Sequence, residues 1–214
     1  SDPAVQVGTY TVGIRLKADA EENYGNFEIL PGSCQLEITN AALEVTPKEQ
    51  YEEVYTGGSH PLTDGWTFSS STGEPVTDPG VSFALRQDGE EENPGESGNW
   101  IAAGELRNVS QTGVYWYRVE YASHAVYYGE DPVQIRILPA ELTVSGNLTT
   151  EKPYDGTAEA AITDGIVTGQ KNGEDVRITS AAASYADADA GTGKTITAVY
   201  EVAFGAGAEP GNYR

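Results

Sequence analysis

Ala188-Asp189-Ala190-Gly191-Thr192-Gly193-Lys194-Thr195 has the residue types and spacing of a phosphate-binding loop, with alanine in place of its first glycine. Such a loop works between a strand and a helix, where backbone amides and the helix dipole converge on the phosphate. Here Thr195-Ile196-Thr197-Ala198-Val199-Tyr200-Glu201-Val202 follows and reads as strand. The segment is therefore expected to be a Gly-rich turn, with no nucleotide or other cofactor. Asp187 and Asp189 beside Gly191 invite a calcium reading. An EF-hand would need a further ligand where Gly191 stands and a glutamate where Ala198 stands. Asp88, Glu90, Glu91 and Glu92 would suit only a weak site of another kind, and a solvated acidic loop is the simpler expectation.

His60 and His124 are the two histidines, neither has a companion at ligand spacing, and Cys34 is the single cysteine, so zinc is not expected. Nothing has the form of a nucleophile elbow, and paired carboxylates carry no information in a chain this acidic. A Lys–Asp crosslink could draw on Lys48 and Asp131, but residues 133–137 hold neither Asn nor Asp, so none is assigned. The chain reads as non-enzymatic, with no catalytic, cofactor-binding or metal residues. Trp116 is the one side chain singled out: strand alternation turns it away from Tyr115 and Tyr117, where it would serve as a glycan or protein contact.

The elements that carry these residues read as strands throughout. Residues 8–16 place Tyr10, Val12, Ile14 and Leu16 on one face, and residues 113–121 place Tyr115, Tyr117, Val119 and Tyr121 likewise. Further strands are expected at 35–39, 41–46, 65–69, 80–86, 133–137, 141–145, 175–180 and 195–204. Gly57-Gly58, Asp64-Gly65, Asp88-Gly89, Asn93-Pro94, Asp164-Gly165 and Asn172-Gly173 punctuate them as turns. No stretch sustains a helical period.

Two of the segments repeat. Ile38-Thr39-Asn40-Ala41-Ala42-Leu43-Glu44-Val45 aligns with Ile137-Leu138-Pro139-Ala140-Glu141-Leu142-Thr143-Val144, an offset of 99 residues, and the same offset lays Tyr55-Thr56-Gly57 on Tyr154-Asp155-Gly156. A period of this length means tandem copies of one folding unit, the size of a small β-sandwich. The expected organisation is 1–39 as the closing part of one repeat, 40–138 as a complete repeat, and 139–214 as a repeat lacking its last strand. In a crystal, 1–39 of one molecule could complete 139–214 of the next by strand addition. Junctions at Thr39-Asn40 and Leu138-Pro139 are short, which implies a stiff rod.

The 214 residues carry a net charge of −21 and contain no methionine. A surface this acidic repels phosphate backbones and anionic lipid, so neither nucleic acid nor direct membrane insertion is expected. The missing methionine suggests a piece of a longer protein.

Lys152-Pro153-Tyr154-Asp155-Gly156-Thr157, Asp175-Val176, Tyr185-Ala186-Asp187, Ala190-Gly191-Thr192-Gly193-Lys194 and Asn212-Tyr213 resemble the YDG repeat of bacterial surface proteins. Residues 40–138 resemble the related MBG-type and other bacterial immunoglobulin-like repeats, with Thr56 in place of the Asp and an acidic insertion at 88–98. The resemblance implies an all-β chain of tandem immunoglobulin-like β-sandwich repeats in an elongated array. It also implies an extracellular location, at the bacterial cell surface and cell wall or secreted. The function expected from it is a non-catalytic structural or adhesive stalk (an adhesin module), or alternatively a glycan-binding module of a carbohydrate-active surface protein. Its partners would be neighbouring repeats of the same chain and host or cell-wall glycan or protein.

Overall fold

A computed structural model of the chain describes residues 8–11, 35–122 and 124–214. The Cys34 reading, and those at Val12, Ile14 and Leu16, lie outside the described residues. The chain is all-β, and its helical turns among the described residues are short 3₁₀ segments. Strand β1 (Gly8–Thr11) pairs antiparallel with β2 (Gln35–Ile38) in a ribbon of its own.

The first large unit holds β3 (Leu43–Thr46), β4 (Gln50–Val54), β5 (Thr67–Ser70), β6 (Gly80–Leu85), β7 (Ile101–Ala102), β8 (Gly113–Glu120), β9 (Tyr127–Tyr128) and β10 (Val133–Leu138). One sheet runs β4-β10-β8-β6-β7, with β9 also on β8; β3 and β5 form a second. β10 lies inside the sheet, parallel to β4 and antiparallel to β8. Its alternation shows why: Val133, Ile135 and Ile137 are 3%, 1% and 1% exposed, while Gln134 between them faces solvent, the period-two pattern of a strand with one face on the core. Against them pack Leu43, Leu62, Phe83 and Leu106, together with Trp66, whose ring meets that of Tyr117 edge-on at 4.8 Å.

The second unit holds β11 (Thr143–Leu148), β12 (Glu159–Ala160), β13 (Ile162–Thr168), β14 (Val176–Tyr185) and β15 (Ile196–Phe204). β11 pairs with β13, and β14 pairs with both β12 and β15. Asp164-Gly165 lies inside β13 rather than at a turn. Glycine at 165 leaves the space that Ile178 and Tyr200 occupy, a close approach that explains glycine in a strand interior.

The two units share a pairing register. Glu44–Ser69, Val45–Phe68 and Thr46–Thr67 in the first unit become Thr143–Thr168, Val144–Val167 and Ser145–Ile166 in the second, each pair moved by the same offset. Ala41 bridges His124 in parallel, and Ala140 bridges Tyr213 in the same sense.

The units meet through a small set of groups. The Tyr55 and Tyr213 hydroxyls both donate to Glu174, the latter at 2.6 Å. The side-chain amide of Asn172 donates to the Gly57 carbonyl at 3.0 Å. Asn212, 1% exposed, accepts from the Val109 amide at 2.9 Å and donates to Asn108 Oδ1 at 3.1 Å.

Candidate binding cleft

The Tyr154-Asp155-Gly156 turn is built by its own residues. Asp155 Oδ1 accepts from the Thr157 amide and the Thr157 hydroxyl, each at 2.9 Å, an Asx-turn that fixes the chain. Gly156 sits at φ 78°, a conformation that costs a side-chain-bearing residue energy. Lys152 Nζ closes the turn from below, donating to Asp155 Oδ1 at 2.9 Å and to the Thr157 carbonyl at 2.8 Å. It also lies 5.7 Å from the centre of the Tyr185 ring. With the polar groups turned inward, the Tyr154 ring is left 72% exposed.

Facing this turn is the 186–195 connection between β14 and β15. Asp187 accepts from the Asp189 amide at 2.9 Å and from Lys194 Nζ. The two walls enclose a cleft of about 680 Å³, within the range of small-molecule sites. The phosphate-loop spacing therefore lands in a turn between two strands, as the residues after it predict, and not at a helix.

The electrostatics are those of a binding surface. The Lys152 ammonium, followed by the Thr157 amide and hydroxyl, lowers the Asp155 carboxyl to about 2. The Lys194 ammonium, followed by the Asp189 amide, holds Asp187 below the ordinary carboxylate range. Carboxyls held ionised are poor proton donors, and both lysines are already engaged by carboxylates. The cleft can stack a ring on Tyr154 and accept hydrogen bonds on its carboxylates.

The other sequence candidates lie elsewhere. Trp116 is 1% exposed. The residues that follow β6 fold over it: its Nε1–H donates to Glu90 Oε2 at 3.1 Å and the Arg86 guanidinium lies 5.8 Å from its ring. It does face away from the Tyr115 side, but it is covered, so the expected open platform for a glycan or protein is absent. Glu90 also accepts from the Gln87 amide, which makes it a loop organiser rather than a free ligand, and no group of three or more metal-ligating residues gathers among the described residues. His60 is buried between the Tyr51 hydroxyl and the Arg107 carbonyl, each at 3.3 Å. His124 contacts Ser70 at 2.7 Å. Neither histidine lines the cleft. Sequence reasoning named the Gly191 turn and noted Tyr154-Asp155-Gly156 only as part of the repeat; it missed that the two segments face each other, since nothing local relates them.

Residues 138–214 match the YDG domain. The match spans little more than a third of the chain. No curated protein and no solved structure matches.

The match corrects the sequence-based assignment. The YDG name is shared with the SRA-YDG domain, a DNA-binding module for methylated cytosine, and does not denote a bacterial MBG-type immunoglobulin-like repeat. The assignment to bacterial immunoglobulin-like surface repeats is therefore withdrawn. With it go the cell-surface and cell-wall stalk, the adhesin, the glycan-binding module and the partners expected for them. The exclusion of nucleic acid falls as well. That exclusion rested on the net charge of −21, which describes repulsion of a phosphate backbone averaged over the surface. It says nothing of a base taken into a cleft.

Proposed function

We propose that this chain is a non-catalytic recognition module whose site is the cleft beside Tyr154-Asp155-Gly156. The observation that carries the reading is the Tyr154 ring, 72% exposed, at the mouth of a cleft whose carboxylates are held ionised. A ligand suited to it presents a flat ring with amino donors. Nucleobases have that chemistry: carboxylates accept from the exocyclic amine of cytosine, and stacking on an aromatic side chain contributes about 1–3 kcal/mol per base. The YDG name points to the same class of ligand. The overall charge directs recognition to an unpaired or extruded base rather than to the duplex backbone, and extrusion costs a few kcal/mol.

Fluorescence anisotropy with short single-stranded oligonucleotides, and with a duplex carrying methylated cytosine, tests the reading. Binding is expected to depend weakly on salt, because few phosphates are neutralised, and to fall by about tenfold or more in Tyr154→Ala. Absence of binding to every oligonucleotide at low salt, or equal binding by Tyr154→Ala, would sink it.

We further propose that 40–138 and 139–214 are tandem copies of one sandwich in an extended array. The shared pairing register supports this. A compact chain of this length would have a radius of gyration of about 17 Å; small-angle scattering should give a clearly larger value, and a value at the compact limit would count against the array.

A further inference from the structure

Of all the asparagines in the chain, Asn172 alone is followed by glycine. Asn-Gly favours a tight turn whose two central residues are both left-handed, and Asn172 and Gly173 take φ 49° and 72°. The Glu174 amide closes this turn on the Lys171 carbonyl at 2.9 Å. Asparagine is a chemically labile residue, and most so before glycine, which has no side chain to keep its own nitrogen away from the asparagine Cγ. Nothing described lies within 4 Å of where a Cβ on Gly173 would stand. No described residue accepts from the Gly173 amide. Asn172 is exposed, so water reaches it.

Asn172 is also a junction residue. Its Nδ2 donates to the Gly57 carbonyl of the first unit at 3.0 Å, and a Cβ on Gly57 would stand 2.6 Å from the Asn172 Cβ. The turn it forms carries Glu174, which accepts from Tyr55 across the same junction. We propose that Asn172 is a self-modification site, whose deamidation ends the contact between the two units irreversibly. The Gly173 amide gives its proton to hydroxide, and its nitrogen attacks Asn172 Cγ. The N–Cγ bond forms, the Cγ–Nδ2 bond breaks, and Nδ2 takes a proton from water and leaves as ammonia. Water then opens the cyclic imide at either carbonyl carbon. One product is aspartate at 172. The other is isoaspartate, with the backbone routed through the side-chain carbon.

Both products damage the junction. Aspartate cannot donate to Gly57; it turns a carboxylate on that carbonyl, an acceptor against an acceptor, and adds a negative charge to the turn that carries Glu174. Isoaspartate lengthens the backbone of that turn and displaces Glu174 from Tyr55. The joined state in turn slows the reaction, because Nδ2 held on Gly57 fixes the side-chain amide. Attack therefore proceeds from the opened junction, and the product prevents its return, which gives the contact a built-in lifetime.

Incubation of the full chain in mildly alkaline buffer, followed by peptide mapping with mass spectrometry, tests this. The expected result is amide-to-acid conversion at 172, as separable aspartate and isoaspartate forms. It should run ahead of every other asparagine and behind the free peptide 169–174. Tyr55→Phe removes one bond across the junction and should speed conversion by about 5–30-fold, the shift in an opening equilibrium that such a loss produces, up to the rate of the peptide. Asn172→Asp should uncouple the units with no incubation: unfolding followed by tryptophan fluorescence, which reports the first unit, should separate from unfolding followed by circular dichroism. No conversion at 172 in Tyr55→Phe, under conditions that convert the peptide, overturns the proposal, as does equal conversion in the parent chain and the variant. Coincident curves for Asn172→Asp overturn it as well, since the modified residue would then leave the contact intact.

Discussion

Tyr55→Phe should uncouple the two units. Tyr55 is 3% exposed and Tyr213 is 8% exposed; the Tyr55 hydroxyl reaches across the junction to Glu174, which also accepts from Tyr213 of its own unit. Burial, with Glu174 next, raises the pKa of both phenols, so they are neutral donors throughout the ordinary pH range. A hydrogen bond to a charged group contributes about 1.5–3 kcal/mol when its partner is left without a substitute. Glu174 is half-buried, so water replaces part of the loss, and about 1–2 kcal/mol is the expected cost. All the tryptophans, Trp66, Trp100 and Trp116, lie in the first unit. Denaturant unfolding followed by tryptophan fluorescence therefore reports that unit, while far-ultraviolet circular dichroism reports both. In the variant the two curves should separate, because the units no longer unfold together. Tyr213→Phe removes a bond within the second unit and should destabilise that unit, and the double variant should depart from additivity by about 0.5 kcal/mol or more, since the two donors share an acceptor. Coincident curves and a loss below about 0.3 kcal/mol in both single variants would refute the reasoning. Raising pH through the free tyrosine value of about 10 should weaken the junction, because a group whose folded pKa is raised stabilises the fold below its unfolded pKa and loses that contribution as pH rises.

Trp116→Ala should destabilise the first unit by about 3–5 kcal/mol, the cost of truncating a buried aromatic, measured by denaturant unfolding; a cost near zero would mean that the covering loop is not packed on it. Gly57→Ala should cost about 1–3 kcal/mol, because Gly57 holds φ 76° and an added Cβ would stand 2.6 Å from the Asn172 Cβ. Its signature is loss of inter-unit coupling in the same fluorescence and dichroism comparison. Asp155 has a folded pKa lowered to about 2, so its turn should persist below the free carboxyl range near 3.9 and open only as pH falls toward that lowered value. The Thr157 amide shift followed by NMR should show this, and a midpoint near the free value would contradict the geometry. Asp155→Asn, which removes the charge that Lys152 meets, should abolish that titration.

The alternation of β10 was legible because one face meets the core and the other meets water along its whole length. β8 was only half legible. Its inward tyrosines follow the pattern, but Trp116 is buried from the other side by Glu90, 26 residues away in sequence, and no local period encodes a covering loop. β4 was missed because Gln50-Tyr51-Glu52-Glu53-Val54 buries only Tyr51; it is a strand because β10 pairs with it, not by its own pattern. Asp164-Gly165 reads as a turn and sits in β13, since turn propensity there yields to the close approach of Ile178 and Tyr200.

By itself the sequence determined that the chain is all-β, that its pattern recurs at a fixed offset, and that the Gly191 segment is a turn between strands. Each of these follows from residue spacing, glycine conformation and side-chain period, which act over a few neighbours. Only the tertiary structure decided that the two turns form one cleft, that Trp116 is covered, and that β4 pairs in parallel with the distant β10. These depend on which distant segments come into contact, and packing between remote residues leaves no periodic trace in the chain.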